Sequence, residues 1–89
     1  MIRRRLTFFG RVQGVGFRYR ARHAASLYGC TGWVRNEWDG SVTLEVQGRP
    51  EAIEAMVDEI LAGRFIQVED LTREELPPVE DERRFRVEY

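Results

Sequence analysis

The sequence predicts an α+β fold in which helices cover one face of a β-sheet, and three observations carry that prediction. Segments of two-residue alternation recur along the chain, two stretches of helical apolar spacing separate them, and Gly, Pro and Asp-Gly punctuation falls at the joints. At 89 residues and 43% hydrophobic content, the chain is expected to form one domain, residues 1–89, around one core.

Each element has its own signal. Arg4 to Gly10 reads as a first strand with Leu6 and Phe8 on one face. Phe17, Ala21, Ala24, Ala25 and Tyr28 then share one side of a helix that starts near Phe17 or Arg18 and is closed by Gly29. Thr31 to Asn36 follows as a second strand, with Trp33 and Arg35 opposed to Gly32 and Val34. Ser41 to Gln47 is a third, with Val42, Leu44 and Val46 on one face. Between these two strands, Glu37-Trp38-Asp39-Gly40 supplies the Asp-Gly of a tight hairpin.

Pro50 and Glu51 open a second helix, where a missing amide does no harm, and Ile53, Met56, Val57, Ile60 and Leu61 form its stripe before Gly63. A fourth strand starts at Ile66 and Val68. Its alternation slips at Leu71, which predicts a bulge or break within Val68 to Arg73, and Pro77-Pro78 ends the segment. Glu80 to Glu82 is expected to be a solvated loop, and Phe85, Val87 and Tyr89 alternate in a short extra strand. The order is the split βαβ (βαββαβ) arrangement of a ferredoxin-like sandwich: an antiparallel sheet, two helices on one face, and a short C-terminal strand.

Composition removes several function classes. The formal net charge of -1 leaves no large field to hold a polyanion, so nucleic acid is not expected as a partner. With Cys30 the sole cysteine and His23 the sole histidine, no internal disulfide forms and no structural zinc set exists, and no metal or other cofactor is expected. A reducing, cytoplasmic setting follows from that cysteine usage. Met1 to Leu6 has the charge of a signal n-region but no apolar stretch after it, so neither export nor membrane association is expected. His23 reads as a helix-surface residue, Cys30 as a buried inert thiol, Trp33 as core and Trp38 as exposed at the hairpin tip.

The chemistry concentrates between the first strand and the first helix. Gly10-Arg11-Val12-Gln13-Gly14-Val15-Gly16-Phe17-Arg18 places three glycines in a short loop and an arginine at the start of a helix. Such a loop turns its amides inward, the helix dipole favours negative charge, and a guanidinium can grip two oxygens of a phosphoryl group. The same glycines would also serve a plain tight connection, with Arg18 a solvated residue. Asn36 likewise reads, taken alone, as an ordinary residue at a strand end. Neither Gly-Lys-Ser/Thr nor a dinucleotide fingerprint is present.

Taken together, Gly10 to Arg18, Thr31-Gly-Trp-Val-Arg-Asn36 and Asp39-Gly-Ser-Val42 resemble the two signature segments of the acylphosphatase family, and the Phe85 to Tyr89 ending resembles its last strand. The resemblance implies hydrolysis of acyl phosphates to carboxylate and inorganic phosphate by direct attack of water at phosphorus. By that resemblance the amides of Gln13, Gly14, Val15, Gly16, Phe17 and Arg18 bind the phosphoryl group, the Arg18 guanidinium clamps it, and the Asn36 carboxamide orients the water. Arg18 and Asn36 are then the catalytic pair. A metal-independent monomer is expected, with a small acyl phosphate as substrate and inorganic phosphate as product and inhibitor.

Two departures stand out. Some family members carry threonine after the asparagine, where this chain has Glu37, which strand alternation points away from the site. Arg73 stands where the family pattern has an apolar residue, leaving the register of the fourth strand open. Three other functions share the fold: an RNA-recognition module, disfavoured because Ser41 to Gln47 has no aromatic to stack a base; a standalone copy of the acylphosphatase-like domain of larger maturation proteins, acting on carbamoyl phosphate; and a phosphate-binding protein without catalysis.

Overall fold

A computed structural model describes residues Met1–Tyr89. In chain order it holds β1 (Ile2–Arg11), α1 (Phe17–Tyr28), β2 (Thr31–Asn36), β3 (Val42–Gly48), α2 (Pro50–Leu61), β4 (Gln67–Leu76) and β5 (Phe85–Glu88). The strands lie in one sheet in the order β4-β1-β3-β2-β5, the split βαβ order with a fifth strand at one edge. The first four pair antiparallel, but β5 pairs parallel with β2, so the sheet is mixed rather than wholly antiparallel.

The buried face is built by alternation. Leu6 and Phe8 of β1, Val34 of β2, and Val42, Leu44 and Val46 of β3 meet Phe17, Ala21, Ala24 and Ala25 of α1 and Ile53, Met56, Val57 and Ile60 of α2 in one cluster. Burying each large aliphatic or aromatic side chain stabilises by roughly 1.5–3 kcal/mol, which is why this face fixes the register. Phe8 and Phe17 pack edge to face at 4.9 Å, tying the first turn of α1 to the centre of the sheet. Tyr28 and Leu61, which share the helical stripes in sequence, lie at the rim at 36% and 41% exposure.

The slip in β4 has a definite place. Phe9 faces Asp70 while Gly10 faces Val68, so Glu69 has no partner and is the bulged residue. With that bulge, Leu71 pairs with Phe8 and packs against the core, and Arg73 pairs with Leu6. Arg73 therefore lies on the helix side of an edge strand, among Arg4, Glu54, Glu74 and Glu75 and open to solvent. Charge on an edge strand discourages pairing with a second sheet.

Two sequence expectations are corrected on the helix-free face. Trp33 is not core: it is half-buried on the side opposite Val34, with the Arg35 guanidinium 4.9 Å from its ring centroid. The Glu80 to Glu82 segment is not wholly solvated, because Glu82 folds back and receives hydrogen bonds from Arg3 at 2.8 and 3.3 Å. Arg3 also donates to Glu45 and Gln47, and Gln47 exchanges two bonds with the backbone of Val79. Burial works against the Arg3 charge, but the bonds and charges of Glu82 and Glu45 outweigh it and hold the guanidinium above its ordinary pKa. In Glu82 burial is likewise outweighed, chiefly by Arg3, and its carboxyl lies below the usual range. A three-residue count of charges could not reveal this, since the partners are up to 79 positions apart.

Candidate active site

The first turn of α1 lacks the features that normally quiet a helix N-terminus. Its N-cap is Gly16, in the left-handed region at φ 81°, with no side-chain cap and no acidic residue in the first turn. By contrast, α2 has Pro50 at its start and Glu51 in its first turn. Gly14, at φ 72°, also takes the left-handed region. Nothing crowds the Cα of either residue, so glycine is required there by backbone conformation alone.

The first intrahelical bond runs from the Arg20 amide to the Gly16 carbonyl at 2.9 Å, so the amides from Gly16 to Tyr19 have no carbonyl within the helix. The amides of Gln13, Gly14 and Val15 donate to no protein acceptor either. Amides without a protein acceptor at the positive end of a helix are donors available to an anion.

Arg18 and Asn36 meet in one cleft of about 280 Å³, lined also by Val12, Gly14, Gly16, Phe17, Tyr19, Arg22, Val87 and Tyr89. Not one of these residues is acidic. Arg18 is half-buried, forms no ion pair, and has its guanidinium carbon 5.1 Å from the Tyr89 ring centroid. The Tyr89 ring lies within cation–π range of the guanidinium, whose N–H fork stays available.

Asn36 reaches the cleft because β2 ends there. It pairs with Val42, and the turn after it is closed by the Glu37 amide to the Ser41 carbonyl at 2.8 Å and by the Gly40 amide to the Glu37 carbonyl at 3.2 Å. Asp39 caps that turn by accepting from the Ser41 amide and hydroxyl at 2.9 and 2.6 Å. The Ser41 hydroxyl and amide hold the Asp39 carboxyl below its ordinary pKa. Trp38 projects from the tip, 98% exposed.

Glu37 does not oppose an anion in the cleft. Its carboxylate accepts from the Thr43 hydroxyl at 2.5 Å and from Arg35 at 3.1 and 3.3 Å on the helix-free face. Those bonds, the Thr43 one first, lower its pKa. Glu37 thus points away from the cleft, as strand alternation predicts.

A model of the acylphosphatase family matches residues 4–87. The chain is 42% identical over 81 residues to an acylphosphatase of Clostridium acetobutylicum, covering 90% of this chain and 89% of the relative. It is 46% identical over 81 residues to one of Geobacillus kaustophilus, covering 90% and 86%. The chain belongs to the acylphosphatase family.

A crystal structure of acylphosphatase from Bacillus subtilis superposes on this acylphosphatase with a TM-score of 0.91 at 36% identity, covering 100% of both chains. A full-length HypF in phosphate- and nucleotide-bound form also matches, with a TM-score of 0.88 at 29% identity, over 99% of this chain but 12% of that one. The protein is therefore an enzyme, a hydrolase acting on small acyl phosphates. No helix is long and apolar enough to cross a membrane.

Within the acylphosphatase, the residues singled out in sequence come together: Arg18, Asn36, Gly14, Gly16 and Phe17 all border the cleft. Val15 is aimed elsewhere, packing against the core and bordering a separate hollow with Tyr19, His23 and Phe65. Its side chain takes no part in the cleft. Four features escaped the sequence. Gln13 was singled out for its amide, yet its side chain donates to the carbonyls of Glu37 and Ser41 at 2.7 and 2.9 Å. Arg22 stands one turn beyond Arg18, a spacing that could have flagged it. Tyr89 and Val87 reach the cleft only because β5 lies beside β2, which periodicity does not encode. Cys30 is buried as expected, and burial pushes its thiol pKa up.

Proposed function

We propose that the enzyme hydrolyses acyl phosphates by holding the phosphoryl group on the amides of residues 13–18, clamping it with Arg18, and directing water at phosphorus with Asn36. The observation that supports this most is the shared cleft: an arginine without an ion-pair partner, an asparagine without a side-chain partner, and free amides at a helix N-terminus, with no acidic side chain among them. A phosphoryl transition state spreads negative charge over its equatorial oxygens, and fixed donors aimed at those oxygens lower the barrier without a protein nucleophile.

The leaving group is a weakly basic carboxylate, so a strong general acid is not needed and the lack of a histidine in the cleft is no obstacle. The Asn36 carboxamide carries both an acceptor for the attacking water, its carbonyl oxygen, and a donor for a phosphoryl oxygen, its NH2 group. The side-chain bonds of Gln13 to the turn after Asn36 keep loop and asparagine in a fixed relation. The enzyme acts as a cytoplasmic monomer without nucleic acid, in keeping with its near-neutral charge and single buried cysteine.

The test is the hydrolysis of benzoyl phosphate, followed by ultraviolet absorbance with a chelator present, for wild type beside Arg18→Ala. Chelator-insensitive turnover that disappears in the variant is the expected result. Turnover that survives the loss of Arg18, or none above background in the wild type, would overturn this use of the cleft. Carbamoyl phosphate in the same assay separates the general acyl phosphatase from a carbamoyl-specific domain.

A further inference from the structure

We propose that Arg22 forms a second anion subsite in the same cleft, so that the preferred substrates are acyl phosphates bearing another negative charge on the acyl group. This rests on the reading that Arg18 and the loop hold the phosphoryl group.

Arg18 and Arg22 are four residues apart on α1, which puts them on one face about 6 Å apart along the axis, and both line the cleft. Two like charges at that spacing repel, so an unoccupied pair is a local cost to the helix. Arg3, Arg4, Arg5, Arg20, Arg35 and Arg86 each have a carboxylate within 4.0 Å, whereas Arg11, Arg49, Arg64, Arg73, Arg83 and Arg84 do not. Arg18 and Arg22 have none, and no acidic side chain borders the cleft.

The positive character continues away from the phosphate loop. Arg22 also borders an adjoining hollow with Arg83 and Arg84, neither of which is ion-paired, together with Ser26 and Thr31. Of the acidic groups, Glu37 and Glu45 lie on the helix-free face and Glu74 and Glu75 on the β4 edge, while Glu82 accepts from the Thr31 side chain beside that hollow. The cleft itself is bordered only by basic and neutral side chains, in a chain of net charge -1. Val87 and Tyr89 also line the cleft and offer apolar surface to the body of an acyl group, the Tyr89 ring lying against the Arg18 guanidinium. A ligand that fills this cleft has a phosphoryl group at one end, a short apolar body, and an anion within reach of Arg22.

The experiment compares kcat/KM for benzoyl phosphate with that for 3- and 4-carboxybenzoyl phosphate, which add one carboxylate to the same ring. Wild type is expected to favour at least one carboxylated substrate by about tenfold at low salt, the ratio falling as ionic strength rises. Arg22→Gln brings that ratio to about one, Arg22→Lys keeps part of it, and Arg73→Gln, on the opposite sheet edge, leaves it as in the wild type. A wild type that favours neither carboxylated substrate, or a preference that survives Arg22→Gln, overturns the subsite. Failure of the underlying reading looks different: benzoyl phosphate itself is then not turned over, or is turned over without need of Arg18.

Discussion

The Gln13 side-chain amide and the Glu37 backbone carbonyl, 24 positions apart, are joined by a 2.7 Å hydrogen bond. A second bond from the same nitrogen to the Ser41 carbonyl, at 2.9 Å, makes Gln13 a staple between the glycine loop and the turn that follows Asn36. Loop and asparagine belong to different segments of chain, and this is the one side-chain bridge between them.

Gln13→Leu keeps the size of the side chain and removes both bonds. The expected outcome is a fall in kcat of about tenfold or more, since small misplacements of reacting groups are costly, with a stability loss of about 1 kcal/mol. Steady-state kinetics beside thermal unfolding measures both, and an unchanged kcat would show that the staple does not position the site.

Arg18→Ala and Asn36→Ala should separate binding from turnover. Loss of Arg18 weakens inhibition by inorganic phosphate as well as lowering kcat, whereas loss of Asn36 lowers kcat by roughly 10²–10³-fold and leaves phosphate inhibition nearly intact. Competitive inhibition constants for phosphate in the two variants provide the comparison. An Asn36→Ala enzyme of wild-type kcat would remove asparagine from the chemistry.

Gly16→Ala adds a methyl group where there is space for one but at a φ of 81°. The left-handed conformation then costs about 1 kcal/mol, and relaxation of the loop should raise KM for benzoyl phosphate severalfold. Denaturant unfolding and KM are the readouts, and a rise in stability would contradict the conformational argument.

Glu82→Gln weakens the partner of buried Arg3 and should cost roughly 1–3 kcal/mol at neutral pH with little effect on kcat. Because the folded pKa of Glu82 is depressed, its stabilisation is present above the unfolded carboxylate range and is lost as pH falls through the folded value. Melting temperatures of the two proteins should therefore converge between about pH 5 and pH 3. A gap of constant size across that range would count against the ion pair.

Much of this was legible in sequence because each strand buries one face and each helix one stripe. Leu6, Phe8, Val34, Leu44 and, in α2, Ile53, Met56, Val57 and Ile60 fall where alternation and helical spacing put them. The loop was legible for a local reason: glycine spacing and an arginine at a helix start are contiguous. Trp33 misled because an aromatic on a strand has no mark of which face it takes when a cation can cover the second face. Glu82 misled because its partner is at the far end of the chain. Tyr89 and Val87 were read as strand residues, and only the parallel pairing of β5 with β2 brings them to Arg18.

The placement of β1 has a bearing on how the enzyme comes into being. The strand that leads into the phosphate loop is flanked by β3 and β4, and its Arg3 pairs with both Gln47 and Leu76. Closing such distant pairs makes folding slow for a chain of this size, because the entropy of long loops is spent before the contacts form. A nascent or half-folded chain thus has the glycine loop in its sequence but not its folded geometry, so an anion held as proposed would select the completed molecule and draw the folding equilibrium toward it.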